Sequence, residues 1–225
     1  EKVANKDFEV LGTSMTTALC TFDTTRAGII ITTAGTDQNQ AIIAPHLDAN
    51  QTSWQTVPWG TENSTIWECV VTTAASIADI KLWAGLKLTN DQLIVTDANQ
   101  AYFKFQTDAT NSEAFSDFTL LHFVHSIANV DYISALPITV AADTQYHLKI
   151  VIDSDRKAAI YVNGIQYNVT TTAGSTGGTA VTTGTEKTAA LTEVDLIPYI
   201  GVETGTGGAK ALKVHSQAIS RLIFE

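Results

Sequence analysis

The chain has 225 residues, of which 16% are charged and 44% are hydrophobic, and its formal net charge is −10. This composition is typical of a globular protein with a weakly charged surface, and the length fits one large all-β domain or two smaller domains. Nucleic acid is excluded as a partner because an acidic surface repels phosphates, and no apolar run approaches the ~20 residues that span a bilayer. We therefore expect neither a nucleic-acid partner nor a membrane segment.

The first half of the chain shows the period-two alternation of β-strands. Residues 1–14 lack it, and we predict that they form an extended N-terminal arm. Alternating runs rich in β-branched and aromatic residues then predict strands at 16–22, 28–33, 65–73, 80–88, 101–106 and 118–125. Helical signals are weak, and the best candidate is one or two turns at 73–79.

Two cysteines, Cys20 and Cys69, lie inside these apolar runs. Small hydrophobic thiols pack well in cores, so we expect both to be buried and free. A disulfide between them is the alternative.

A loop between two predicted strands carries Trp54 and Trp59, in the sequence TSWQTVPWG. Paired indoles in such a loop could stack on sugar rings or contact a neighbouring subunit. The alternative, which we favour, is that both tuck under the loop and anchor it to the sandwich. These two residues are the candidate contact site for a partner or a glycan.

The segment YHLKIVIDSDRKAAIYVNGIQYNV, residues 146–169, predicts three antiparallel strands. Apolar residues alternate through 146–152, 158–162 and 165–169, with a polar turn after the first run. Asn163-Gly164 is the strongest short hairpin signal, because a type I′ turn needs positive φ at both positions.

The last part of the chain contains a loop and two more strands. Residues 170–188 are rich in Gly, Thr and Ser and predict a long mobile loop. Strands follow at 196–202 and 210–225, where a phase slip near 218–219 predicts a β-bulge. Since the strands on either side of the loop need each other to complete a sheet, we predict one domain.

The order of these elements resembles the concanavalin A-like (laminin G-like) jelly-roll β-sandwich, and more narrowly members of this fold found among bacteriophage structural proteins. The residues that carry the resemblance are Ala84-Gly85-Leu86, 101–105, 146–153, the strand ending in Asn163-Gly164, and 196–202. The resemblance implies an all-β fold, a single jelly-roll sandwich of antiparallel strands over residues 15–225, with the flexible loop at about 170–190. Because the family also includes lectins and glycoside hydrolases, fold alone does not assign function.

The glycoside hydrolase branch of this fold supplies a specific test for catalysis. Its family-16 motif is similar to Glu-x-Asp followed by a further Glu on one strand, which places a nucleophile and an acid on a single face. Glu193 and Asp195 match the first two carboxylates, but Ile197, Pro198 and Tyr199 occupy the places of the last one. We therefore predict no catalytic residues and no enzymatic activity.

Two further patterns were considered as metal sites. His122 and His125 are three residues apart, so on a strand they point to opposite faces and cannot share an ion. Asp153 and Asp155 could bind calcium from a loop, but Asp-Ser-Asp is also ordinary turn chemistry, which we favour. We expect no metal and no cofactor.

Two functions fit these features. The first is a virion structural protein, such as a capsid decoration or tail-associated protein. It would assemble in the host cytoplasm and contact itself and other virion proteins. The second is a carbohydrate-binding, lectin-like module, with Trp54 and Trp59 stacking on glycans. A glycoside hydrolase is a third, less favoured alternative.

Overall fold

A computed structural model of the chain describes residues 8–25, 27–45, 60–108, 113, 115–174 and 177–222. Within these residues, fifteen strands and three short 3-10 turns are present. The strands are β1 (Phe8–Leu11), β2 (Cys20–Phe22), β3 (Ile29–Thr32), β4 (Gln40–Pro45), β5 (Ile66–Thr73), β6 (Ile80–Lys87), β7 (Gln100–Gln106), β8 (Leu120–Ile127), β9 (Val130–Thr139), β10 (Gln145–Ile152), β11 (Ala158–Val162), β12 (Ile165–Tyr167), β13 (Thr179–Ala180), β14 (Ile197–Thr204) and β15 (Ala211–Ser220).

The strands form two sheets. One has eight strands in the order β1-β4-β14-β6-β7-β8-β9-β13, and the other has seven in the order β12-β11-β10-β5-β15-β3-β2. Neighbouring strands are antiparallel, except that β13 runs parallel to β9. The prediction of an all-β sandwich dominated by antiparallel strands is confirmed.

The main hydrophobic core lies between the two sheets. Phe103 and Phe105 of β7 enter it from the eight-stranded sheet, and Leu148 and Ile150 of β10 enter it from the seven-stranded sheet. Trp67 of β5 is fully buried in the same core. The alternation of apolar residues along these strands follows from the two-residue period of a β-strand, which places every second side chain on the inner face.

A second hydrophobic cluster lies on the opposite side of the eight-stranded sheet, which we call its outer face. Residues of this cluster alternate along the strands with residues of the main core, as Tyr102 does with Phe103. Trp83 of β6 and Tyr199 of β14 belong to it, and both are buried. The eight-stranded sheet is therefore packed on both faces.

The hairpin between β11 and β12 confirms the predicted turn. Asn163 and Gly164 have φ values of 50° and 81°, and Val162 pairs with Ile165 across the turn. The predicted bulge in the last strand is also present, but the register of β15 shifts between Val214 and Ser216 rather than near residues 218–219.

Two smaller predictions have clear outcomes. Residues 74–79 contain no helix, only a bend and a turn between β5 and β6. Both cysteines are free: Cys69 is buried in the main core, where burial raises the pKa of its thiol, and Cys20 is half-buried at the edge of that core.

Described residues between β12 and β14, at 168–174 and 177–188, contact the edges of both sheets. The backbone N–H of Thr170 donates to the Ser134 hydroxyl at 3.0 Å, and the N–H of Thr188 donates to the carbonyl of Ala158 at 3.0 Å. Between these points the chain forms β13. The mobility of this segment stays a prediction, as does the role of residues 1–14 as an arm, of which 8–11 form β1.

Candidate functional site

The outer face of the eight-stranded sheet carries three buried lysines, which sequence reasoning did not single out. Lys81 and Lys87 lie on β6 and Lys104 lies on the neighbouring strand β7, and all three are at most 1% exposed. A buried ammonium group loses several kcal/mol of hydration free energy unless it is paired. A set of such groups on one sheet face is therefore a candidate functional site.

Lys81 lies between two carboxylates. Its Nζ is 2.6 Å from Oε1 of Glu203 and 3.5 Å from Oδ2 of Asp108. The second carboxylate oxygen of Glu203 accepts a hydrogen bond of 2.6 Å from Nε2 of Gln40. The ammonium group is thus held by charge-assisted contacts on both sides.

Lys87 is bound in a similar way at the other end of β6. Its Nζ is 3.0 Å from Oδ2 of Asp97, donates to Oε1 of Gln100, and lies 4.2 Å from the centroid of the Tyr102 ring. Burial lowers the pKa of Lys87, and the nearby Asp97 carboxylate opposes this shift.

Lys104 is enclosed by two loop segments. It donates to the backbone oxygen and to Oε1 of Gln92, at 2.9 and 2.8 Å, and it forms an ion pair with Glu113. Burial lowers its pKa to about 8, although the Glu113 carboxylate favours the charged form. Gln92 follows β6 and Glu113 follows β7, so residues from both loops lie over the lysines.

These contacts close the outer face over the described residues. Ile94 and Phe115, from the same two loop segments, are buried in the apolar cluster beside the lysines. Each ammonium group has protein partners and almost no exposed surface, so the three lysines act as parts of a packed polar layer rather than as an open cleft.

The two histidines lie where the strand geometry predicted. His122 stacks on Phe115 at the outer face, with ring centroids 4.1 Å apart, whereas His125 stacks on Tyr132 at 4.6 Å on the other face. Burial lowers the pKa of His122 to about 4 and that of His125 to about 3. In the described ranges, no group of three or more His, Cys, Asp or Glu side chains is arranged to hold a metal ion.

The Asp153 side chain has the contacts of a turn residue. Its Oδ1 accepts from the backbone N–H groups of Asp155 and Lys157, both at 2.9 Å, and its Oδ2 is 2.7 Å from Nζ of Lys187. This arrangement is the turn chemistry favoured from the sequence.

The acidic pair tested for catalysis lies before a strand rather than on one. Glu193 and Asp195 precede β14, and the Glu193 side chain is 70% exposed and 3.8 Å from Arg156. Pro198 lies within β14, whose pairing with β4 begins only at Ile200. Pro198 therefore interrupts no hydrogen bonds between β14 and β4, which explains how a central strand accommodates a proline.

The predicted contact residues Trp54 and Trp59 lie outside the described residues. The other two tryptophans, Trp67 and Trp83, are buried in the two apolar clusters, as expected for strand residues of the core.

An accessible groove of about 360 Å³ lies on the outward face of the seven-stranded sheet. It is lined by His147, Lys149 and Val151 of β10, with Tyr161 and Gly164. Alternation in the sequence marks His147 and Lys149 as outward-facing, but which strands lie beside them depends on long-range pairing.

Strand register brings a carboxylate and a phenol to either side of Lys149. Lys149 is directly opposite Glu68 on β5 and Tyr161 on β11. The Glu68 carboxylate is 3.2 Å from Nε2 of His147 and 3.8 Å from Nζ of Lys149. The groove therefore offers hydrogen-bond donors and the Tyr161 ring on an open surface, and the Glu68 carboxylate contacts two of its lining side chains.

Comparison with known proteins gives the fold but no family. No protein-family model matches the chain, and no curated protein sequence matches it. In the described residues, no helix is sufficiently long and apolar to cross a membrane.

Solved structures with the same fold differ in function. An alginate lyase from Corynebacterium sp. matches with a TM-score of 0.54 and 10% identity, over 96% of this chain and 95% of that chain. The carbohydrate recognition domain of Emp46p matches with a TM-score of 0.53 and 5% identity, over 97% and 90%. Botulinum neurotoxin type C, whose cell entry depends on two ganglioside molecules, matches with a TM-score of 0.54 and 9% identity, over 99% of this chain and 45% of that chain.

The presence of alginate lyases among these structures corrects one prediction. The expectation that the chain is not an enzyme rested on the missing family-16 carboxylate beside Glu193 and Asp195. That inference was wrong, because enzymes of this fold include polysaccharide lyases as well as family-16 hydrolases, and one missing motif does not exclude catalysis. At identities of 16% or less, the matches establish the architecture alone. The chain is a concanavalin A-like jelly-roll β-sandwich.

Proposed function

We propose that this chain is a structural domain of a virus particle. It acts through contacts of its solvent-exposed surface with copies of itself and with other virion proteins. The observation that carries the proposal is the closure of the outer face of the eight-stranded sheet. Lys81, Lys87 and Lys104 are paired and covered there, so the described surface available to a partner lies elsewhere.

The wider features of the chain support the same function. A β-sandwich packed on both faces of its larger sheet is rigid, and rigid surfaces suit repeated contacts because little conformational entropy is lost on assembly. The virus-particle setting, with assembly in the host cytoplasm, comes from the resemblance of the strand pattern to bacteriophage structural proteins.

The test of this function is assembly. Purified chain studied by size-exclusion chromatography with light scattering is expected to form dimers or larger species, and the chain is expected to sediment with assembled particles beside capsid subunits. A protein that stays monomeric and is absent from particles would refute the proposal.

A second candidate function is saccharide binding at the groove beside Tyr161. Lys149 and Glu68 offer a donor and an acceptor for sugar hydroxyls, and the Tyr161 ring offers a surface for stacking. The lysine and the carboxylate compensate each other in charge, which favours a neutral sugar. The lectin domain among structures of this fold is compatible with such binding.

Saturation-transfer NMR with maltohexaose and cellohexaose tests this second function. Wild-type protein should give transfer signals that disappear in Tyr161→Ala. The control is Val95→Ala, which removes an exposed apolar side chain outside the groove and should leave the signals unchanged. Signals that persist in Tyr161→Ala, or no signal from either sugar, would exclude binding in this groove.

A further inference from the structure

An open apolar groove lies between the last strands of the two sheets. β1 is the edge of the eight-stranded sheet and β2 is the edge of the seven-stranded sheet, and both line this groove of about 510 Å³. Its apolar lining includes Val10 and Leu11 on one side and Met15, Cys20 and Ile29 on the other. The interior of the sandwich is therefore accessible at this end, which we call the β1/β2 edge.

The β1/β2 edge also carries an exposed aromatic side chain. Phe22, the last residue of β2, is 82% exposed and lines the same groove. Large apolar groups of this kind, next to an apolar groove and on an edge strand, are typical of interaction sites.

The protruding ring and the groove lie side by side on one patch. A contact related by a two-fold axis uses the same patch on both copies, so a protruding group of one copy must meet a recess of the other. At the β1/β2 edge, Phe22 of one copy can enter the groove formed by Val10, Leu11 and Met15 of a second copy while the reverse contact forms.

The low charge of this patch permits a second copy as the partner. With a net charge of −10, two copies repel each other across most of their surfaces. Of the described residues that line the groove, Glu9 alone is charged. The patch thus combines apolar surface with little like-charge repulsion, which is what self-association of an acidic protein requires.

We propose that the β1/β2 edge is a self-association surface, in which Phe22 of each copy docks into the groove of the other. This inference rests on the proposed structural function and names the surface through which it would act. The occupant is a second copy of this chain.

Phe22→Ser tests the surface in solution. Light scattering over a dilution series should show self-association of the wild type, with a dissociation constant raised about tenfold or more in Phe22→Ser, since a buried aromatic ring dominates such contacts. The matched control is Val95→Ser, which removes another strongly exposed apolar side chain, 74% exposed, from a turn outside the groove. This control should associate like the wild type.

The two free cysteines provide an independent readout. Cys20 lines the groove and Cys69 is buried in the main core. N-ethylmaleimide should label Cys20 more slowly in the associated wild type than in Phe22→Ser at the same concentration, and it should not label folded Cys69 in either.

The outcomes separate this inference from the proposed function. Association that Phe22→Ser leaves intact would overturn the β1/β2 edge as the contact and leave the structural function standing. A wild type that is monomeric at all concentrations would overturn this inference, and one that is also absent from particles would overturn both. Cys20 that is protected equally in dilute monomer would also overturn the inference, because the groove would then be filled from the same chain.

Discussion

Lys104 illustrates at the residue scale why a charged side chain can be buried in this fold. Its ammonium group loses hydrating water and gains contacts with Gln92 and Glu113. Its pKa falls to about 8 because the loss of hydration exceeds the stabilisation from these contacts. Pairing of this kind makes the charge tolerable, but each partner then depends on the other. Removing only the lysine leaves a carboxylate in a largely buried position.

We expect Lys104→Met to lower the free energy of unfolding by about 3 kcal/mol, because Glu113 then lacks its cation. Urea unfolding followed by tryptophan fluorescence measures the change. The double variant Lys104→Met/Glu113→Gln should recover part of the loss. Lys149→Met serves as the control: its ion pair with Glu68 is more than one-third exposed on both sides, so the change should stay within about 1 kcal/mol. Equal losses in the two lysine variants would contradict this account.

The buried histidine His125 predicts a loss of stability in mild acid. Its pKa is about 3 in the folded chain and about 6.5 when unfolded, so between these values the unfolded chain binds more protons. Stability therefore falls as the pH drops below 6.5, by about 2 kcal/mol at pH 5 for this group. His125→Phe should lose correspondingly less stability than wild type between pH 7 and pH 5 in urea unfolding, whereas identical pH slopes would contradict the prediction.

At the scale of elements, strands of both sheets were predicted from the sequence. β10, β11 and β12 alternate because the outward side of the seven-stranded sheet is open to solvent, and the Asn163-Gly164 turn has its own local signal. β4 and β9 were missed, although β6, β7, β8 and β14 of the same eight-stranded sheet were predicted, so packing on both faces does not by itself hide a strand from sequence reasoning. β13 was missed as well, since its two residues pair through backbone alone with a distant strand.

Close packing of β14 against β6 gives a prediction at this scale. A Cβ added at Gly201 would lie 2.2 Å from Cζ2 of the buried Trp83 indole. Gly201→Ala should therefore destabilise the fold by about 1–3 kcal/mol, as overpacking does in well-packed cores. Chemical denaturation measures this loss, and a smaller ring in Gly201→Ala/Trp83→Phe should reduce it.

The matched control for Gly201 is Gly174→Ala, where an added Cβ has no neighbouring atom within 4 Å. Its free energy of unfolding should change by less than about 0.5 kcal/mol. If both alanine variants lost the same stability, the effect would come from glycine removal in general and not from the contact with Trp83.

At the scale of the whole molecule, the architecture could be predicted from the sequence better than the candidate functional site could. Lys81, Lys87 and Lys104 have the spacing of outward-facing strand residues, which suggests solvent exposure, yet all three are buried. Lys104, for example, lies beneath the loop residues Gln92 and Glu113. Loop placement over a sheet depends on long-range packing that local periodicity does not contain. The same holds for the β1/β2 edge, where two consecutive strands pair into different sheets and line one groove.

The overall charge makes a final prediction about assembly. Two copies with a net charge of −10 repel each other at long range, and raising the ionic strength from about 0.01 M to about 0.15 M shortens the screening length from roughly 30 Å to roughly 8 Å. An apolar contact such as the β1/β2 edge is little weakened by this salt, so self-association should become tighter. Sedimentation or light scattering in dilute and physiological sodium chloride measures the change. Association that weakens as salt is added would instead indicate a contact held by ion pairs, because screening reduces attraction between opposite charges just as it reduces repulsion between like ones.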